Sequence, residues 1–410
     1  MLVVPSIYLL GALLSIIGVA CLGSSFVLLN SFLPLLVANH PSVRAHHHRE
    51  VDDESTDASA LSEIQISTRI SSKGVGLGYA AAVFVQCLSV LLLFTMSKLS
   101  SPGASKSLPF RLVLFMSGVW WLAFTIPSAL WLRTRPGPPL LTSSQHHGTF
   151  QQLLGYVAFA WKSLWRTIRV AAKLRQTSVF LLAWFLLSDA VATVSGTAII
   201  FARTELELGS VGIALLSITV TTFGILGAAL WPRLSQRFKW RTNRTIVTCM
   251  LLMEVIPIYG LLGFLPFVQS WGVGGLQQPW EIYPLGIIHG TVMGGLSSYC
   301  RSFFGHLIPP GNEAAFYALF AITDKGSSVI GPAIVGSIVD ATGSIRPAFF
   351  FLAILIALPM PLMWNVDAEK GQEEATKMAL VLNESGPSPY DIELRAENQQ
   401  ESEGLMAGPE

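Results

Sequence analysis

Apolar residues along most of this chain neither alternate nor recur in stripes; they run on without interruption. A helix needs about 20 such residues to cross the hydrocarbon of a bilayer. Runs of that length occur at about 6–37, 72–97, 110–132, 179–202, 210–231, 245–268, 282–307, 315–339 and 346–364. The pattern predicts about nine spanning helices, arranged as three, a long polar linker, then six. The first run is long enough to be tilted or broken.

One segment has a different period. From Leu153 to Leu174, apolar residues recur at Leu153, Val157, Trp161, Leu164, Trp165, Ile168 and Ala172. Lys162, Arg166, Arg169 and Lys173 form a separate basic stripe at helical spacing. A basic amphipathic helix carrying tryptophans reads as lying in the membrane interface. The nucleic-acid or calmodulin-target reading of the same stripe is the weaker one.

Composition agrees with the pattern. The chain has 410 residues, 51% hydrophobic and 12% charged, where a soluble domain carries about 25% charged residues. This is the composition of an integral membrane protein. A net charge of +1 gives no electrostatic case for nucleic acid. Cys21, Cys87, Cys249 and Cys300 all lie in apolar runs and read as small buried residues, not as disulfides or a metal site. The triplet His46–His48 has no partner ligands at useful spacing, so a solvated loop is expected and no metal or cofactor. The opening residues have no basic n-region and too long an apolar run for a signal peptide. No P-loop, nucleophile elbow or intramembrane protease pair occurs, and the polar segments are short, so no enzyme is expected.

Loop charge sets the orientation. Pro232–Arg244 is strongly basic, as is the linker with Arg133, Arg135, Lys162, Arg166, Arg169, Lys173 and Arg175. Both fall on one side if the span count holds, together with segment 38–71 and the C-terminal tail. All four are expected in the cytosol, with the N-terminus in the lumen. The sequons at Asn243 and Asn383 then stay unglycosylated. The tail beyond Trp364 is rich in Glu, Ser, Gly and Pro and is expected to be disordered.

Part of the chain repeats. SSKGVGLGYAAAV (Ser71–Val83) aligns with TDKGSSVIGPAIV (Thr323–Val335), matching Lys73-Gly74 to Lys325-Gly326. The preceding helices correspond too, GSSFVLLNSF (Gly23–Phe32) with GGLSSYCRSF (Gly294–Phe303). Repeats of this kind build the two halves of major-facilitator transporters. Placing Lys73 in helix five and Lys325 in helix eleven makes the first three spans helices four to six, and helices one to three are then missing. The fold class expected is an all-α polytopic membrane protein, a major-facilitator-type helix bundle, N-terminally incomplete with about 9 of 12 helices. Its parts are 1–133 as a partial N-terminal half, 134–178 as a cytosolic linker with the interfacial helix, 179–364 as a six-helix C-terminal half and 365–410 as a disordered acidic cytosolic tail.

Long stretches of the chain resemble the fungal autophagy-related protein 22 family. They are FLLSDAVATVSGTAIIFARTEL (Phe185–Leu206), WEIYPLGIIHG (Trp280–Gly290), YCRSFFGHLIPPGNEAAFYALFAITDKGSSVIGPAIVG (Tyr299–Gly336) and RISSKGVGLGYAAAVFVQ (Arg69–Gln86). The similarity extends over nearly everything from residue 6 to Trp364 and departs from the family at the front. It implies a major-facilitator carrier of the vacuole membrane that returns amino acids to the cytosol after autophagic breakdown. The rival reading is a non-transporting or degenerate membrane protein acting as a partner or remnant. Composition and repeat support a carrier; only the resemblance supplies vacuole and amino acids.

Six ionisable residues are placed well inside spans: Lys73, Asp189, Glu254, Arg301, Asp324 and Lys325. Charges at that depth are costly and mark sites or partners, so these six are the candidate substrate-binding or gating residues. Adjacent helical side chains point about 100° apart, so Asp324 and Lys325 are expected to look to different helices. Arg301 and Asp324 flank the turn at Asn312 by about 11 and 12 residues, at matching depths of roughly 16–18 Å. The expected pair is therefore Arg301–Asp324, in a structural or gating role before direct substrate contact. Gly286, Gly290, Gly294, Ser298 and Ser302 recur every four residues and predict close helix packing. Trp120, Trp121 and Phe124 read as interface or packing.

Overall fold

The computed structural model describes residues 8–43, 56–99, 108–132 and 149–384. Among these the chain is almost all helix with no strand, as a backbone in hydrocarbon must be when no water can satisfy it. The helices are α1 (Tyr8–Ala38), α2 (Thr56–Leu99), α3 (Leu108–Trp131), α4 (Thr149–Lys173), α5 (Arg175–Thr204), α6 (Ser210–Phe238) and α7 (Thr242–Leu262). They continue as α8 (Pro266–Trp271), α9 (Ile282–His306), α10 (Glu313–Ser327), α11 (Ile330–Thr342), α12 (Ala348–Ala357), α13 (Pro359–Trp364) and α14 (Ala368–Glu384). Seven spans among the described residues are long and apolar enough to cross a membrane: α1, α2, α3, α5, α6, α7 and the α10–α11 pair. The polytopic all-α bundle expected from the sequence is present.

Two other expected spans look different. Helix α9 has the length, but His289, Arg301 and its glycines and serines lower its apolarity, because it is surrounded by protein and not by lipid. Its most extensive packing is on α6, followed by α2 and α7. The four-residue stripe makes this possible: a Cβ at Gly290 would overlap the Val220 carbonyl, and one at Gly294 the Gly224 carbonyl. On α6, Gly227 meets Thr291 in the same way. The expected packing stripe is thus a two-sided backbone contact. The last expected span is divided at Leu358 into α12 and α13, where Pro359 and Pro361 withhold backbone donors.

The region expected to be disordered after Trp364 is helical as far as Glu384. It turns away at 68° and packs along the ends of the spans. Gln176 ties it down, receiving the Asp367 N–H on Oε1 at 3.0 Å and donating its own N–H to Glu374 Oε2 at 3.1 Å. A Cβ at Gly371 would overlap Leu307. Composition underestimated this segment because a few small contacts, including the buried Ala375, hold a mostly polar helix. Residues 385–410 lie outside the described residues, as do the 134–148 part of the linker and the His46–His48 triplet.

Cys249 and Cys300 are buried as expected, whereas Cys21 and Cys87 sit on exposed helix surface. A position inside an apolar run does not say which way a side chain faces, and these two face outward. Trp120 packs on Phe84 and Phe124, with centroids 5.2 and 4.6 Å apart, which joins α3 to α2.

Candidate functional site

The α10–α11 pair replaces the single helix expected at 315–339. The break falls at Ser328–Val329, four residues before Pro332, whose ring has no N–H to give the Ser328 carbonyl. Breaking a helix at this depth exposes carbonyls at one new end and N–H groups at the other. Helix α5 supplies one partner to each end from two consecutive residues.

Ser188 Oγ donates to Asp324 Oδ1 at 2.6 Å and lies 2.9 Å from the Asp324 carbonyl oxygen, near the end of α10. Asp189, 3% exposed, accepts the Gly331 N–H on Oδ1 at 3.0 Å, at the start of α11. A carboxylate at a helix N-terminus meets both an unused donor and the positive end of the helix dipole. Glycine is required at 331, because a Cβ there would overlap Thr193 Oγ1. Thr193 is itself fixed by donating to the Asp189 carbonyl at 2.6 Å. Ser327 and Ser328 return hydrogen bonds to the carbonyls of Asp324 and Lys325 at 3.1 and 2.9 Å.

The expected Arg301–Asp324 pair does not form. Asp324 pairs with its own neighbour: Lys325 Nζ lies 2.8 Å from Asp324 Oδ2, with the lysine side chain 82% exposed and the aspartate 16%. Two reasonings fail here. The 100° rule governs where Cβ atoms point, but a long lysine stem two residues from a helix end can fold back. Depth matching fixes height along a hairpin and leaves azimuth open, and Arg301 faces the other way.

Arg301 binds neutral groups on two other helices. Its Nε and Nη2 donate to Ser71 Oγ at 3.1 and 2.8 Å, and Nη2 also donates to the Ser71 carbonyl at 3.2 Å. Nη1 donates to Asn30 Oδ1 at 3.1 Å. This one guanidinium joins α9 to α1 and α2, in a fork geometry that lysine lacks. Ser71 Oγ also lies 3.0 Å from the Ser298 carbonyl, and Thr68 Oγ1 lies 3.1 Å from Ser302 Oγ, so the junction extends along the helix pair.

The remaining candidates stay apart from the break. Lys73 sits on the exposed side of α2. Glu254 is half-buried on α7, and its Oε2 makes no hydrogen bond within the protein. His289 was missing from the set of intramembrane ionisable groups, although it stands in plain view in WEIYPLGIIHG; its Nε2 lies 3.0 Å from Ser195 Oγ. Ser71, Ser188, Thr193 and Asn30 were also missed, since single small polar residues in apolar runs carry little signal.

The opposite end of the bundle has a second organised carboxylate. Glu281, 1% exposed, accepts N–H bonds from Gly274 (3.0 Å), Leu276 (2.8 Å), Gln277 (3.4 Å) and Gln278 (3.1 Å), and the Tyr259 hydroxyl at 3.1 Å. Arg346 donates to the carbonyls of Gly275 and Leu276 at 3.1 Å each. The loop is held from both sides, which permits Leu276 its φ of 62°.

A family profile described as "Vacuole effluxer Atg22 like" matches residues 1–376. Autophagy-related protein 22 of Botryotinia fuckeliana is 57% identical, over 99% of this chain and 73% of its own length. Autophagy-related protein 22-1 of Sclerotinia sclerotiorum is 58% identical, over 99% of this chain and 73% of its own length. Autophagy-related protein 22-2 of Aspergillus fumigatus is 53% identical, over 99% of this chain and 72% of its own length.

Proposed function

The chain belongs to the vacuole effluxer Atg22-like family, and from that premise we propose that it exports amino acids from the vacuole to the cytosol. The coarser role, an autophagy-related transporter in the vacuolar membrane, comes with the family. The amino-acid substrate rests on chemistry at the break between α10 and α11.

The carrying observation is the Asp324–Lys325 pair, 2.8 Å apart beside a broken span with the ammonium largely exposed. Discontinuous helices are how transporters place unsatisfied backbone and charge at mid-membrane. A zwitterion brings one carboxylate and one ammonium, so it can exchange partners with an existing ion pair and leave no charge alone in a medium of low dielectric. The buried Ser188 and Asp189 hold the break and Asp324 with it, while the exposed Lys325 ammonium is free to exchange partners. The aligned Lys73 and Lys325 support a major-facilitator arrangement in which the halves rock about this level.

The orientation follows from loop charge. Arg241 lies 4.0 Å from Glu369, so the basic segment with Arg233, Arg237, Lys239 and Arg244 shares an end of the bundle with α14, and our reading is that this end faces the cytosol.

The test is efflux of radiolabelled amino acids from proteoliposomes containing the purified chain. Wild type should release label faster than Asp324→Asn or Lys325→Met. Equal rates for all three, with all three correctly folded, would remove the pair from the working site.

A further inference from the structure

Helix α4 plays no part in the transport reading. Its C-terminal end is fixed to the bundle: Thr167 and Ala171 are buried, Leu174 is 2% exposed, and Ser178 Oγ donates to the Ala171 carbonyl at 2.7 Å. Before that anchor the helix is uncovered, and residues 154–163 are exposed without exception. One uncovered face carries Val157, Trp161 and Trp165, which are 60, 74 and 57% exposed. The adjoining face, about a third of a turn round, carries Lys162, Arg166, Arg169 and Lys173. The Arg169 guanidinium lies 5.8 Å from the Trp165 ring centre, at the boundary between the two.

Position identifies the occupant of these faces. A single residue, Leu174, separates α4 from the spanning helix α5. Thr177, one turn further on, bonds the Leu307 carbonyl where α9 ends. Helix α4 is thus tethered at the membrane surface, and a bilayer is within reach of its apolar face at all times. Tryptophan rings suit the level where acyl chains meet headgroups, and a row of cations beside them suits phosphate and carboxylate headgroups.

We propose that α4 is a docking surface for the anionic phospholipids of the adjoining leaflet. Trp161 and Trp165 enter the acyl boundary, and Lys162, Arg166, Arg169 and Lys173 lie against the headgroups. The inference does not depend on what the protein carries.

The experiment is hydrogen–deuterium exchange of the full chain in nanodiscs of phosphatidylcholine, alone or mixed with phosphatidylserine. Each basic side chain near an anionic leaflet contributes about fivefold to binding, so amides of residues 154–169 should exchange at least about tenfold more slowly with phosphatidylserine present. High salt should erase most of the difference. The variant Lys162→Glu/Arg166→Glu/Arg169→Glu/Lys173→Glu should lose the difference between the two lipid mixtures. Trp161→Ser/Trp165→Ser should exchange faster than wild type in both, and unchanged exchange in α6 and α7 reports an intact bundle for each variant. Equal exchange in the two lipid mixtures overturns the proposal. So does protection that appears only when a soluble cytosolic fraction is added, which would make the partner a protein.

Discussion

Asp189 on α5 caps the start of α11 by accepting the Gly331 N–H at 3.0 Å, across a separation of 142 residues in sequence. A span can break at Ser328–Val329 because another helix supplies a partner at each new end. Gly331 is the tightest point of this contact. Replacing it with alanine drives a methyl into Thr193 Oγ1, and overpacking of this kind costs about 1–3 kcal/mol. Gly331→Ala should lower the melting temperature of the purified protein, and Thr193→Ala in the same chain should recover part of the loss. No recovery would mean that the contact is looser than described.

Asp189→Asn should be destabilising, since the amide keeps an acceptor but loses the charge that complements the helix end. Hydrogen bonds to charged groups contribute about 1.5–3 kcal/mol, against about 1 for neutral ones. The expected loss is therefore about 1 kcal/mol, read as a shift in thermal unfolding. A larger loss for Asp189→Ala, which strands the donor, is the internal control.

Arg301 and Asp324 should behave independently. In a double-mutant cycle with Arg301→Ala and Asp324→Ala, stability losses should add within about 0.5 kcal/mol, whereas the cycle with Arg301→Ala and Asn30→Ala should show coupling of about 0.5–3 kcal/mol. Coupling in the first cycle and none in the second would reverse the assignment made from the hydrogen bonds.

Glu281 organises the loop between α8 and α9 through four N–H groups and one hydroxyl. Glu281→Gln should cost about 1.5–3 kcal/mol, because charge-assisted bonds are lost and an amide NH2 faces donors. Proteolysis within 272–281 of otherwise folded protein is the readout. An unchanged digestion pattern would show that Arg346 alone is sufficient.

A tag after residue 410 should be removed by protease added to intact vacuoles, and Asn243 should carry no glycan. Its Nδ2 already donates to the carbonyls of Trp364 and Val366, both at 3.1 Å. A protected tag would invert the orientation derived from the basic loops.

The sequence alone determined the membrane setting and the all-helical fold, because uninterrupted apolar runs leave a backbone no other way to satisfy its polar groups. It also determined the α9 packing stripe, since glycine and serine every four residues have one geometric meaning on a helix. The amphipathic period of α4 was equally plain. Azimuth was not legible: which residues face each other depends on how helices rotate about their own axes, and spacing along the chain does not record that. So Arg301 turned to Ser71 and Asn30, and Asp324 kept Lys325 while taking Ser188. The break at Ser328–Val329 was not expected, since 315–339 read as one span, although Pro332 lies inside it. Only the tertiary structure showed why it holds, because the groups that satisfy it come from α5. The fold of 368–384 was hidden for a different reason. Ala, Glu, Lys, Gln, Met and Leu dominate this stretch and favour a helix, but the Ser and Pro that follow it dominated the reading of the tail as a whole. Contacts with Gln176 and Leu307 hold the helix in place.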